Sequence, residues 1–335
     1  MQTISANQAL KLPNTIFIDV RSPCEFVLDH IPHAINLPIL DNKERHEIGI
    51  IYKHDQEKAI SLGLEYYSKK IPELTEFLKT INKNKTIIVY CWRGGMRSQT
   101  IANLIESLGH KTKLLKGGYK GYRAFIRKSL ENYKANFKFI ILWGNTGTAK
   151  TKIIEKLKSA IDLECLAQHR GSLFGAIGLT PRTQKSFETL LFFELERLAS
   201  EKYIFVEGES RKIGNIIIPE SIYKEIKNGI NIRVNASVES RSKITIKEYL
   251  KPEYIEKIKE IVPLLKRRLS KKQVENMLRL IDERDYLGFA KILLTEYYDP
   301  LYKNTLDKIE YGFTVNSDDI DICVKELEGI RSKLL

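Results

Sequence analysis

Two stretches of the chain combine residue types and spacings that could do chemistry. In Tyr90-Cys91-Trp92-Arg93-Gly94-Gly95-Met96-Arg97-Ser98 a cysteine leads into a glycine turn flanked by arginines. A thiol between a strand and a helix meets turn amides and the positive helix end, both of which favour the thiolate. Arg93 and Arg97 add positive charge, and Gly94 and Gly95 let the loop close around an anion. An incidental thiol in a structural turn would not bring these types together. The spacing Cys91 to Arg97 is also Cys-x5-Arg, in which cysteine attacks phosphorus and arginine holds phosphoryl oxygens. A thiolate in an amide cradle suits either a chalcogen or a phosphorus electrophile, and the loop alone leaves both open.

The second stretch is Gly144-Asn145-Thr146-Gly147-Thr148-Ala149-Lys150-Thr151. It follows the hydrophobic run Phe137–Trp143 and precedes a helical pattern through Ile153, Ile154 and Leu157. Strand, glycine-rich loop, Lys-Thr and helix make a phosphate-binding P-loop in its proper context. Its amides and the helix start cradle phosphates, Lys150 reaches the outer phosphate, and Thr151 is placed to ligate Mg²⁺. Ala149 stands where the pattern has glycine.

Both stretches need parallel strands to position them. Thr15–Val20 reads as a buried strand ending at Asp19, with Arg21 just beyond. Ser22-Pro23-Cys24-Glu25 opens a helix, with Ser22 as cap and Glu25 at the third position. Residues 30–38 form a proline-interrupted loop, and helical patterns cover 55–64 and 72–80. Thr86–Val89 is the strand before Cys91, Lys113–Leu115 is another, and Gly117–Gly121 turns into a helix from Tyr122. Strands alternating with helices predict an α/β fold with a mainly parallel sheet. A polar stretch at 132–136 divides the chain into units 1–132 and 137–335.

In the second unit, Leu163–Gly175 reads as a loop holding His169, Arg170 and Ser172. A long amphipathic helix follows at 184–199. The strand Tyr203–Val206 then runs into Glu207-Gly208-Glu209-Ser210-Arg211, where a P-loop protein places acids for the metal side of its site. After a strand at 229–234 the remainder reads as mostly helical. It contains a basic cluster, Lys266, Arg267, Arg268, Lys271 and Lys272, and a tyrosine turn, Tyr297-Tyr298-Asp299-Pro300-x-Tyr302. The rings either belong to a core or stack on bases or a lipid chain.

Composition narrows the classes. The 335 residues, 43% hydrophobic and 29% charged, fit a globular protein of two domains. No apolar run reaches the length of a membrane span, and the start lacks a signal-peptide pattern. Four dispersed cysteines predict neither disulfides nor a zinc site, and a reducing cytoplasm is the expected setting. A net charge of +13 with local clustering favours a polyanionic partner.

The segments Asp19-Val-Arg-Ser-Pro-x-Glu25-Phe and His30-Ile-Pro-x-Ala-Ile-Asn-Leu-Pro38, with the Cys91 loop, resemble a rhodanese domain. The resemblance implies that Cys91 carries sulfur or selenium, that Trp92 to Arg97 cradle the donor, and that Asp19 and Arg21 support the loop. Cys24 matches no motif position and is expected as a small buried hydrophobe. Adding the P-loop, Leu-Glu-x-Leu-Ala-x-His-Arg-Gly-Ser, Val-Glu-x-Glu-Ser and Tyr-Tyr-Asp-Pro, the chain from Asp19 to Tyr302 resembles the bacterial tRNA 2-selenouridine synthase family. Ala149 and Gly208, the latter where that family tends to have Asp, depart from its pattern.

The resemblance implies replacement of sulfur by selenium on the wobble 2-thiouridine of tRNA through an S-geranyl intermediate. Its co-substrates would be geranyl diphosphate at the Lys150 loop and selenophosphate at the Cys91 loop, with Mg²⁺ as an optional ion. Expected partners are tRNA at its anticodon region and an enzyme supplying selenophosphate; the basic cluster is expected to meet backbone phosphates of the tRNA. Two rival classes share the motifs: a plain sulfurtransferase or Cys-x5-Arg phosphatase fused to a small-molecule kinase, and a non-catalytic sensor of a phosphorylated ligand. The oligomeric state has no sequence signal.

Overall fold

The computed structural model describes all 335 residues, which form two compact units, Met1–Leu130 with Glu188–Phe192 and Glu131–Phe187 with Phe193–Leu335. In the first, β1 (Thr3–Ile4), β2 (Thr15–Asp19), β3 (Ile35–Asn36), β4 (Thr86–Tyr90) and β5 (Lys111–Leu115) make one parallel sheet. Its order is β1-β5-β4-β2-β3, so β4 is central and Cys91 sits at its C-terminal end. The β-branched residues Ile18, Val20, Ile87 and Val89 pack with Ile101, Ala102 and Ile105 of the helix Met96–Ser107. A ligand loop at the carboxyl end of a central parallel strand is the usual arrangement in open α/β sheets.

The second unit repeats the scheme. Strands β6 (Lys138–Trp143), β7 (Ala160–Ile161), β8 (Tyr203–Glu207), β11 (Ile230–Asn235) and β12 (Phe313–Asn316) are parallel in the order β12-β11-β6-β8-β7. The P-loop leaves central β6, and Glu207 ends its neighbour β8. A small hairpin, β9 (Lys212–Ile213) with β10 (Ile216–Ile217), lies outside this sheet. Residues 238–306 form a helical subdomain whose own core includes Tyr249, Val262, Met277, Phe289, Leu294 and Tyr298.

Several local expectations are corrected. The patterns at 55–64 and 72–80 belong to one helix, Gln56–Lys79, with Pro72 inside it. Tyr67, Leu74 and Leu78 bury along one stripe and hold the helix on both sides of the proline, against a cost of roughly 3 kcal/mol for proline in a helix interior. A further helix, Asn42–Ile51, was not anticipated. The helix expected from Tyr122 begins at Gly118, and the 163–175 loop opens with the helix Leu163–Ala167. The mostly helical C-terminal part also contributes the short strand β12. Cys24 is exposed rather than buried, because the helix Pro23–Leu28 buries none of its residues.

No helix is long and apolar enough to cross a membrane.

Candidate active sites

The Cys91 loop is built on a turn that accepts no side chain. Tyr119 and Lys120 donate backbone N–H groups to the carbonyls of Cys91 and Trp92, at 2.8 and 2.9 Å. A Cβ at Gly118 would lie 2.4 Å from the Cys91 oxygen and 2.5 Å from the Gly94 nitrogen, so the two turns interlock through glycine. Gly118 and Gly94 both have positive φ, at 57° and 74°. Asp19 and Arg21 form a fully buried ion pair, and the Arg21 guanidinium lies 3.8 Å over the Tyr119 ring. Tyr119 in turn donates its hydroxyl to Asp29. The pair thus reaches the loop through Tyr119.

At the loop itself, Cys91 Sγ lies 3.2 Å from Ser98 Oγ, and Ser98 Oγ is 2.9 Å from the Gly95 carbonyl. Burial pushes the thiol upward in pKa. The Ser98 hydroxyl, the Arg93 and Ser98 amides and the Arg97 charge outweigh it, and the net shift is downward. Arg97 leans on Glu25, with Nη1 to Oε2 at 3.2 Å, whereas Arg93 is exposed. Ser98 went unassigned in the sequence, although it directly follows the expected arginine. It is the hydroxyl that favours the thiolate.

The P-loop opens on a cavity of about 270 Å³, small on the scale of ligand sites. Gly144, Thr146, Gly147, Thr148, Lys150 and Thr151 line it. Ala149 adopts a left-handed conformation, φ 59°, which explains why the pattern favours glycine there. Lys150 Nζ donates to the Gly144 carbonyl at 2.9 Å, and Thr151 Oγ1 to Glu164 Oε2 at 3.1 Å. The lining also holds apolar and aromatic side chains: Trp143, Ile244, Tyr249, Tyr302 and Leu306. Arg170, Ser172, Glu164 and Glu209 also reach the cavity, and Arg170 sits 5.1 Å over the Tyr249 ring. Burial, helped by the Glu209 charge, raises Glu164 to about 8. Glu209 is raised by burial too, with Lys150 opposing.

Not every expected residue joins this cavity. Glu207 is buried behind it, where Oε2 accepts the Leu163 N–H. Burial and the nearby Asp162 and Glu164 hold its carboxyl well above the usual range. His169 accepts the Gly171 N–H on Nδ1 at 3.0 Å and packs against Gly175 and Gly214, bracing the β9–β10 turn. Arg211 pairs with Glu220 and donates to the Ile218 carbonyl, away from the cavity. Asn145 turns its amide to Asp299. The three tyrosines lie on continuous helix, not around a turn: Tyr298 is core, and Tyr302 faces the cavity. Tyr249 and Ile244 lacked a recognisable signal, whereas Trp143 directly precedes the P-loop glycine and Glu164 lies in the Leu-Glu-x-Leu-Ala motif without a role assigned to it. Lys266, Arg267, Arg268, Lys271 and Lys272 are all exposed, and only Lys271 has an acidic neighbour, Glu275 at 3.7 Å.

A cysteine-bearing anion loop at the end of one central parallel strand, followed by a P-loop at the end of another, defines a rhodanese–P-loop tandem protein. Residues 4–125 match the rhodanese-like domain model, and 137–328 match that of the tRNA 2-selenouridine synthase AAA domain. A tRNA 2-selenouridine synthase of Sulfurovum sp. is 30% identical over 95% of this chain and 97% of its own. The enzyme of that name from Hydrogenovibrio crunogenus is 31% identical over 93% and 96%, and that of Alcanivorax borkumensis 39% over 72% and 68%. This chain belongs to the tRNA 2-selenouridine synthase family.

Proposed function

We propose that the protein is a tRNA-modifying transferase that replaces sulfur by selenium on wobble 2-thiouridine in two steps, one at each loop. The observation that carries the first step is the double character of the P-loop cavity. Its lining combines the P-loop residues and Lys150 with the apolar and aromatic Trp143, Ile244, Tyr249, Tyr302 and Leu306. A ligand with a diphosphate head and a hydrocarbon tail satisfies both, as geranyl diphosphate does. Its C1–O bond breaks as the thiouridine sulfur bonds to C1; diphosphate leaves and N3 of the base gives up its proton. Alkylation turns the sulfur into a good leaving group.

In the second step, the selenium of a selenophosphate held at the Cys91 loop bonds to C2 of the ring as the C2–S bond breaks and the geranyl thiolate departs; water then cleaves the P–Se bond, phosphate leaves and N3 regains its proton. The lowered thiol pKa and the Arg93 and Arg97 charges support an anionic donor such as selenophosphate at that loop.

Magnesium suits the donor set of the P-loop site. No three His, Cys, Asp or Glu side chains converge there as a cage, but Mg²⁺ ordinarily takes few protein oxygens and completes its shell with phosphate and water. Thr151 Oγ1 would hold it, with Glu209 nearby, and when bound it would neutralise charge on the departing diphosphate.

The test is nucleoside mass spectrometry of 2-thiouridine tRNA incubated with geranyl diphosphate, with and without selenophosphate. The wild type should yield S-geranyl nucleoside with the first alone and selenouridine with both. Lys150→Ala should block geranyl transfer, and Cys91→Ala should stop at the S-geranyl stage. Unchanged geranyl transfer by Lys150→Ala would sink the diphosphate assignment; full selenation by Cys91→Ala would sink the carrier role.

A further inference from the structure

Arg241 and Asp299 lie outside the cavity wall, yet they meet directly behind the P-loop. Arg241, on the helix Val238–Tyr249, is only 4% exposed. Its Nη1 and Nη2 donate to Asp299 Oδ2 at 3.0 Å and Oδ1 at 2.5 Å, and its Nε donates to the Thr146 carbonyl at 2.8 Å. Asp299, at the start of the helix Asp299–Leu306, also accepts the Asn145 side-chain amide at 2.8 Å. Gly147 lies flat on this brace: a Cβ there would be 2.9 Å from the Arg241 carbonyl oxygen and 3.1 Å from its Cβ. Thus two successive P-loop residues, Asn145 and Thr146, are fixed from outside by one ion pair, its arginine buried and its aspartate partly so.

The consequence follows from the geometry of a trans peptide, whose C=O and N–H point in opposite directions. Arg241 draws the Thr146 carbonyl away from the cavity. The Gly147 N–H in the same peptide plane must then face the other way, toward the cavity that Thr146 and Gly147 line. That amide donates to no protein backbone group. In a glycine-rich loop the opposite orientation is sterically open, and it would turn a carbonyl dipole toward an incoming phosphate.

We propose that Arg241, seated on Asp299, is a positioning residue that presets the P-loop for its diphosphate ligand by holding the Thr146–Gly147 peptide in the amide-inward orientation. This rests on the reading of Gly144–Thr151 as a diphosphate cradle. Lysine cannot replace arginine here, because a single ammonium lacks the planar fork that reaches Asp299 and the Thr146 carbonyl together. Arg241→Lys therefore keeps the charge and the ion pair but releases the carbonyl.

The test uses the full-length protein with inorganic pyrophosphate as probe, by titration calorimetry, alongside thermal unfolding and the kinetics of geranyl transfer. The wild type binds pyrophosphate, and Arg241→Lys binds it about tenfold more weakly at an unchanged melting temperature, as expected for loss of one oriented donor. KM for the diphosphate donor rises by the same factor while kcat holds, which a general structural defect would not produce. Asp299→Asn, which unseats the guanidinium but leaves Arg241 in place, moves binding in the same direction and serves if Arg241→Lys does not fold. If both folded variants bind within about twofold of wild type, a change too small for a lost donor, the brace has no such role. If the wild type itself fails to bind pyrophosphate, the cradle reading fails first.

Discussion

At Cys91 the thiolate depends on one hydroxyl more than on either arginine. Ser98 leads the groups that lower the thiol pKa, ahead of the Arg93 amide and the Arg97 charge, and all of them work against burial. Ser98→Ala leaves burial less opposed. The midpoint of iodoacetamide alkylation against pH should move up, and reactivity at a fixed pH below it should fall accordingly. An unmoved midpoint would assign the thiolate to the loop amides alone. A second residue-scale expectation concerns Ala149, held at φ 59°. The left-handed conformation costs a non-glycine residue about 1–2 kcal/mol, and glycine returns roughly 0.5–1 kcal/mol of that as extra unfolded-state entropy. Ala149→Gly should therefore stabilise the protein by about 0.5 kcal/mol in urea unfolding. A clear loss of stability would mean that the buried methyl matters more than the backbone.

Between elements, the Cys91 loop and the Gly117–Gly118 turn are locked by backbone contact rather than by side chains. Gly118→Ala sets a Cβ 2.4 Å from the Cys91 oxygen, at a position that also has positive φ. It should cost more than about 2 kcal/mol of stability and slow Cys91 alkylation. Gly95→Ala has open space around it and negative φ, and should stay within about 0.5 kcal/mol. Equal effects from the two substitutions would show that the interlock is not what holds the loop. Elements of this kind were legible because their signals are local. The β-branched runs before Cys91 and Gly144 gave strands, and Ser22 with Glu25 gave the entry to the helix Pro23–Leu28. What escaped notice depends on distant partners. Arg241 and Asp299 stand 58 residues apart, Trp143 finds Asn231 across the sheet, and β12 is a four-residue edge strand added late in the chain. Gln56–Lys79 was divided at Pro72 because local preference cannot count the burial on either side.

Over the whole molecule, the +13 net charge sets the approach of a polyanion, and its densest exposed part is the cluster from Lys266 to Lys272. Lys266, Arg267, Arg268 and Lys272 have no acidic partner, so their field is not cancelled locally. Replacing Lys266, Arg267 and Arg268 by glutamine should weaken tRNA binding and reduce the slope of log K against log salt by about two, with little change in melting temperature. A wild-type slope would make the cluster an ordinary solvated surface.

The contact between Gly208 and Trp143 constrains how this sequence can vary. A Cβ at position 208 would fall 2.3 Å from the indole Cδ2 and 2.4 Å from Cε3, and the ring is tethered by its N–H to Asn231. A rigid aromatic ring cannot yield to an aspartate there as a flexible side chain would. The two positions therefore behave as one epistatic unit. An acid at 208 becomes accessible only after Trp143 has been exchanged for something smaller, and a lineage that holds the tryptophan is committed to the glycine.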